Sequence, residues 1–172
     1  VILLRSLLFL LIQALSAAVA GLLALFLFPL QPVRRNRVIA LWARFMIWLA
    51  RVLVGIRYKV IGRENLPATP SVVLAKHQSA WETIAFQVIF PPVCFVLKRE
   101  LLRIPFFGWG LAMTSPIAID RGAGREALKQ IETQGKARLE SGLWVVTFPE
   151  GTRVAPGEKG NYQIGGAWLA VK

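Results

Sequence analysis

One histidine, one cysteine and two tyrosines are all that 172 residues contain of three side-chain types that often carry chemistry. With only Cys94 no intramolecular disulfide can form, and Cys94 with His77 supplies too few donors for a Cys/His zinc site. Cys94 sits in the apolar run Pro91-Pro92-Val93-Cys94-Phe95-Val96-Leu97 and reads as a small core residue, which fits a reduced, cytoplasm-facing location. Acidic residues are scarce: nine, against 21 Lys and Arg, leave a net charge of +12. The excess favours anionic partners such as lipid surfaces, acidic carrier proteins or nucleic acid. No basic-aromatic array supports nucleic acid. An H-E-x-x-H helix and a G-x-S-x-G elbow are both missing, so neither a zinc protease nor a common serine hydrolase is indicated. There is no internal repeat and no low-complexity linker, and the length suits one domain with a sizeable core.

Apolar residues are abundant, at 55% of the chain with a mean hydropathy of +0.54, so a membrane is the first environment to consider. No charge occurs from Ser6 to Val33. As a helix, Ser6–Phe28 would be roughly 34 Å long, against about 30 Å of bilayer hydrocarbon, so it can span the bilayer or lie deeply in it. A signal peptide fits less well, because Pro29, Pro32, Arg34, Arg35 and Arg37 follow in place of a small-residue cleavage site. That basic cluster assigns the end of the segment to the cytoplasmic face.

From Asn36 to Gly55 the seven-residue spacing of Arg37, Arg44 and Arg51 places three guanidinium groups near one helical face. Trp42, Phe45, Trp48, Leu49, Val52 and Leu53 supply the remainder, as in an interfacial helix. The alternative is an amphipathic helix packed on the domain with a solvated basic face.

After Gly55 the texture is globular, which divides the chain into membrane-associating helices at 1–55 and a domain at 56–172. Arg57–Ile61, Ser71–Ala75, Val93–Leu97, Ile117–Asp120 and Leu143–Phe148 read as strands. Ala80–Phe90, Phe106–Met113 and Gly124–Ser141 read as helices. In the last, Leu128, Ile131, Gly135 and Leu139 share a side. The alternation predicts an α/β fold with a mainly parallel or mixed sheet flanked by helices. The chain begins at Val1 and stops at Lys172 within an ordinary-looking segment, and we expect at least its C-terminal end to belong to a longer protein.

His77 is the first candidate for chemistry, since an imidazole titrates near cellular pH and a carboxylate can fix its tautomer. Glu82 follows five residues later. Inside one helix that offset separates the pair by about 140° in azimuth, so His77 must lie just before the helix for the two to meet. A histidine capping the strand end is the structural alternative. With no signposted nucleophile, direct activation of an acceptor hydroxyl is the economical mechanism, and Ser79 is held in reserve. Phe148-Pro149-Glu150-Gly151-Thr152-Arg153 follows a strand, where open α/β sheets build their sites. Gly151 permits close backbone approach, Thr152 adds a hydroxyl and Arg153 offers a planar fork for phosphate. Lys98, Arg99 and Arg103, and separately Arg121, also follow strands, so that together they describe an anion pocket.

These blocks resemble those of the glycerolipid acyltransferases, in particular the bacterial 1-acyl-sn-glycerol-3-phosphate acyltransferases. His77 to Glu82 is similar to their H-x-x-x-x-D motif, Pro116 to Arg121 to a second block ending in Arg, and Phe148 to Arg153 to F-P-E-G-T-R. The resemblance covers Leu53 to Lys172. It implies a two-helix N-terminal membrane motif and acyl transfer from an acyl carrier protein or coenzyme A thioester to the 2-hydroxyl of lysophosphatidic acid, giving phosphatidic acid. No metal or other cofactor is implied. His77 would be the base and Glu82 its orienting partner. Arg153, Lys98 and Arg121 would hold phosphate, and Glu150, Gly151 and Thr152 would shape the loop. The implied setting is the bacterial inner membrane, among phospholipids, with the domain facing the cytoplasm. Glu82 departs from the usual aspartate, and a fourth, proline-containing apolar block is missing. Another lysolipid acceptor, such as an ornithine lipid, and a non-catalytic basic membrane module are the competing expectations.

Overall fold

The computed structural model describes all residues, 1–172. Four apolar runs pair into one wholly parallel sheet in the order β1-β4-β2-β3, with β1 at Val72–Leu74, β2 at Val93–Lys98, β3 at Ile117–Ile119 and β4 at Trp144–Thr147. Every residue of β4 is buried, as expected for an inner strand covered on both faces. Alternation along it builds two cores. Val145 packs with Cys94, Ile117, Ile131 and Leu169 on the side of α5 (Arg125–Glu140) and α6 (Gly165–Val171). Trp144 and Val146 pack with Val93, Phe95, Phe86 and Phe90 on the side of α3 (Trp81–Ile89). Burying one such side chain contributes about 1.5–3 kcal/mol. Cys94 lies fully within the first core, where burial pushes its thiol up to about 12 and leaves it unreactive.

Two helices precede this unit. α1, Ile2–Leu25, is long and apolar enough to cross a membrane, and most of its leucines are exposed. α2, Pro32–Leu49, continues through a π turn at Ala50–Val54 and stops at Gly55, whose φ of +79° a side chain would resist. Its buried seam is Asn36, Ala40, Ala43, Met46 and Leu49, at three- and four-residue spacing. Arg37, Arg44 and Arg51 are exposed, as expected, together with Phe45, Trp48 and Val52. The outer face therefore mixes guanidinium groups with aromatic rings. Asn36 Nδ2 donates to Thr114 O at 3.2 Å, Arg35 Nη2 to Ser115 Oγ at 2.7 Å and Arg138 Nε to Ser115 O at 2.8 Å. These bonds fasten α2 and α5 to the chain entering β3.

The expected strand Arg57–Ile61 does not form. The segment is exposed and pairs with nothing, bracketed by Gly55 and Gly62, both at φ +79°. Its apolar residues signalled a different contact: Tyr58 packs edge-on against Trp81 at 5.3 Å. α6 was missed because it opens with Gly165-Gly166, which carry low helix propensity. Gly166 is needed there, since a Cβ would run into Thr147 and Leu74 of the sheet.

α1 crosses α4 (Phe107–Met113) where two glycines meet, and a Cβ on Gly110 would lie 2.7 Å from Gly21 Cα. Gly110→Ala should therefore destabilise the fold by about 1–3 kcal/mol through overpacking. Gly122→Ala, whose Cβ meets nothing nearer than 3.4 Å, should stay within about 0.5 kcal/mol. Thermal unfolding of both variants in detergent checks the contrast, and equal shifts would contradict it.

Candidate active site

In a parallel sheet all strands end at the same edge, so the segments after β1, β2, β3 and β4 converge. β1 leads to His77, β2 ends at Lys98, β3 leads to Arg121 and β4 to Phe148–Arg153. His77 lies in the turn before α3, and Glu82 occupies that helix's first turn. The placement inferred from the five-residue offset, with His77 just before the helix, is what the fold provides. His77 Nδ1 is 2.8 Å from Glu82 Oε1. The same oxygen accepts from Gln78 N at 2.6 Å and Ser79 N at 2.7 Å, and Oε2 accepts from Ser79 Oγ at 2.5 Å.

Burial pushes the Glu82 carboxyl upward, but the hydrogen bonds from the Ser79 hydroxyl and the Ser79 and Gln78 amides outweigh it and hold the group at about 2. An ionised carboxylate only accepts, so Nδ1 carries the proton and Nε2 of the neutral ring is left free to accept one. The extra methylene of glutamate does not prevent contact. It lets a residue inside α3 reach back to the amides of the turn.

Ser79, the reserve nucleophile, has its hydroxyl on Glu82, and its oxygen accepts from Trp81 N at 3.0 Å. It is a structural bridge within the turn. The imidazole plane is set by Phe148, stacked 4.2 Å away at 19°, with Phe86 and Phe95 each 6.2 Å beyond Phe148.

Glu150 has only 1% of its side chain exposed, and its Oε2 accepts the His77 amide at 3.0 Å. Lys76 Nζ lies 2.7 Å from Glu150 Oε1; this bond first, and then the His77 amide, keep the Glu150 carboxyl below its usual range. Sequence reasoning treated Glu150 only as part of a loop and missed Lys76, although it directly precedes the histidine. Gly151 turns the loop at φ +66°, and Arg121 Nη1 donates to its carbonyl. Thr152 and Arg153 follow, both exposed.

His77, Lys98, Arg121, Thr152 and Arg153 all line one cavity of about 1,600 Å³. Lys98 is half exposed, 3.5 Å from Glu100. Arg125, at the start of α5, joins this basic end and had not been singled out, because it reads as an ordinary charge on an amphipathic helix. Arg99 turns away to Gln130 at 3.4 Å, and Arg103 is not among the lining residues. Toward α1 and α4 the walls become apolar, with Leu10, Ala14, Ala17, Gly21, Phe106 and Leu111. No three His, Cys, Asp or Glu side chains gather as a metal-binding group. The cavity thus suits an amphiphile with an anionic head, presented to a base.

The Glu82 environment carries a pH signature. A carboxyl lowered from 4.5 to about 2 stabilises the fold fully above the unfolded value and loses that contribution as pH falls toward the folded one. The stability gap between the parent and Glu82→Gln should shrink as pH drops from about 4.5 toward 2. Denaturant titrations across that window test this, and a gap independent of pH would refute it.

The chain matches the family described as "Acyltransferase" over residues 57–172. It is 52% identical over 169 residues to a 1-acyl-sn-glycerol-3-phosphate acyltransferase of Pseudomonas aeruginosa, covering 97% of this chain and 66% of that protein. A Saccharomyces cerevisiae protein of the same name is 35% identical over 114 residues, 64% of this chain and 37% of the relative. Among solved structures it is similar to the 1-acyl-sn-glycerophosphate (LPA) acyltransferase PlsC of Thermotoga maritima, with a TM-score of 0.69 and 25% identity, covering 91% of this chain and 63% of that one. The chain therefore spans just under two thirds of its Pseudomonas relative's length and a smaller share of the yeast one. The parallel sheet flanked by helices agrees with the structural likeness, and the match over residues 57–172 shows that the chain belongs to the acyltransferase family.

Proposed function

We propose that the protein of which this chain is part transfers an acyl group from a thioester to the 2-hydroxyl of 1-acyl-sn-glycerol-3-phosphate, forming phosphatidic acid. The observation that carries this reading is the His77–Glu82 pair in a cavity with guanidinium groups at one end and apolar helix walls at the other. Its Pseudomonas relative bears the name of that activity. Nε2 of His77 takes the proton of the acceptor hydroxyl as its oxygen attacks the thioester carbonyl. Collapse of the tetrahedral adduct breaks the C–S bond and forms the ester, and the imidazolium returns the proton to the leaving thiolate. Glu82, held ionised, stabilises the imidazolium that forms between the two transfers. General-base assistance of this kind contributes about 10²- to 10⁴-fold in rate.

Arg153, Arg121 and Lys98 bind the acceptor phosphate, with Glu150, Gly151 and Thr152 shaping the loop that presents Arg153. Fixing the head this way places the hydroxyl beside the base, a proximity effect worth several kcal/mol. The donor is an acyl carrier protein or coenzyme A thioester, serving as co-substrate, and no metal or prosthetic group takes part. α1, with its exposed leucines, enters the bilayer, and the arginine- and tryptophan-bearing face of α2 lies at the headgroup level. In a bacterial cell this is the inner membrane with the domain on the cytoplasmic side, as the basic cluster after α1 favours.

The roles separate kinetically. In the full-length parent protein in membranes, His77→Ala should lower kcat by about 10²- to 10⁴-fold with acceptor KM nearly unchanged. Arg153→Ala should chiefly raise acceptor KM. Glu82→Asp should retain more activity than Glu82→Gln. Labelled lysophosphatidic acid, zwitterionic lysolipids and lyso-ornithine lipid, each supplied with both donors, test the acceptor: turnover only with the latter two would overturn the assignment, and no turnover with any acceptor would favour a membrane-binding module.

A further inference from the structure

We propose that Lys76 is a positioning residue for the histidine, acting through the buried Glu150 carboxylate. This deepens the acyl-transfer reading and rests on it. A carboxylate removed from water is stable only when its oxygens are met by donors or an opposite charge. Glu150 has two such partners: Lys76 Nζ on Oε1 at 2.7 Å and the His77 amide on Oε2 at 3.0 Å. Lys76 Nζ also donates to Glu158 O at 2.7 Å, and Val154 N donates to His77 O at 2.8 Å. Both backbone polar groups of His77 are therefore spent on the 150–158 loop.

The consequence for the ring follows from these anchors. Glu82 fixes the imidazole edge through Nδ1, and Phe148 fixes its plane. The spacing of the His77 backbone from the loop that carries Arg153 is set by Glu150 at the His77 amide and by the Val154 amide at the His77 carbonyl, and Glu150 holds its position only while its charge is compensated. Lys76, 36% exposed at its side chain, supplies the compensation from the outer side of the loop, and it is the one cation paired with Glu150. Lys76 thus links the segment after β1 to the segment after β4 without being among the residues that line the cavity.

The test uses the full-length parent protein in membranes, with a thioester donor and lysophosphatidic acid. Lys76→Met should lower kcat about 10- to 100-fold, the scale of a small misplacement of a catalytic group, with acceptor KM changed little. Lys76→Arg should recover most of the rate. Because Glu150→Gln removes the uncompensated charge, the double variant of Lys76→Met with Glu150→Gln should turn over no more slowly than Lys76→Met alone. In a His77→Ala background Lys76→Met should lower the residual rate no further, whereas a purely structural role would lower it again. If Lys76→Met does not yield folded protein, Lys76→Gln in the same assays decides. Parental kcat in the folded single variant, or multiplicative losses in either double variant, would overturn the proposal. A parent without acyl transfer to any acceptor would instead remove the reading on which it rests.

Discussion

Two carboxylates with little access to water flank His77, and the local structure is organised around keeping both charged. Glu82 is satisfied by the turn that contains His77, through two amides, a hydroxyl and the ring itself. Glu150 is satisfied by the His77 amide and Lys76. Neither arrangement survives a shift of the turn relative to α3 or of the loop relative to β1, because an orphaned buried charge is among the costliest defects a fold can carry. The histidine is held by its ring from one side and by its backbone from the other.

That double hold depends on the parallel sheet. β1 and β4 are neighbours in register, Val72 opposite Val145 and Leu74 opposite Thr147, so the segments that leave them start side by side and can exchange hydrogen bonds at once. An antiparallel pairing would send one of them to the far edge. β2 and β3 extend the same edge outward and add Lys98 and Arg121. Short strands suffice, since the three strands β4, β2 and β3 are anchored by fully buried side chains, Val145 with Val146, Cys94 and Ile117, and β1 adds only half-buried ones at the sheet edge.

Much of this was legible in the residues. The four apolar runs that became strands, the amphipathic pattern of α5 and the need for His77 to precede its helix all follow from periodicity and 3.6-residue geometry. What was not legible depended on contacts between distant segments. Arg57–Ile61 has a strand's composition but no partner, and composition does not reveal pairing. Lys76 looked like one more surface cation in a chain with 21 basic residues, and only the fold places Glu150 beside it. Arg99 and Arg121 each follow a strand, yet one turns toward α5 and the other reaches the loop carbonyl of Gly151. In α2 the large apolar residues stood out, and of these Leu49 is buried while Phe45, Trp48 and Val52 are exposed; the rest of the seam, Asn36, Ala40, Ala43 and Met46, shows only in the fold.

The Ser79 hydroxyl donates to Glu82 and accepts from the Trp81 amide, and Ser79 is not among the residues that line the cavity, so its oxygen is held inside the turn and away from a bound carbonyl. Under the acyl-transfer reading Ser79 then offers no covalent relay, and the base acts directly on the acceptor hydroxyl. Donor and acceptor must be present together, two amphiphiles sharing one cavity of about 1,600 Å³, so that turnover follows a sequential order through a ternary complex. A half-reaction with the thioester alone would leave no acyl group on the polypeptide, and the free thiol would appear only when an acceptor hydroxyl, or a water molecule in its place, stood beside Nε2.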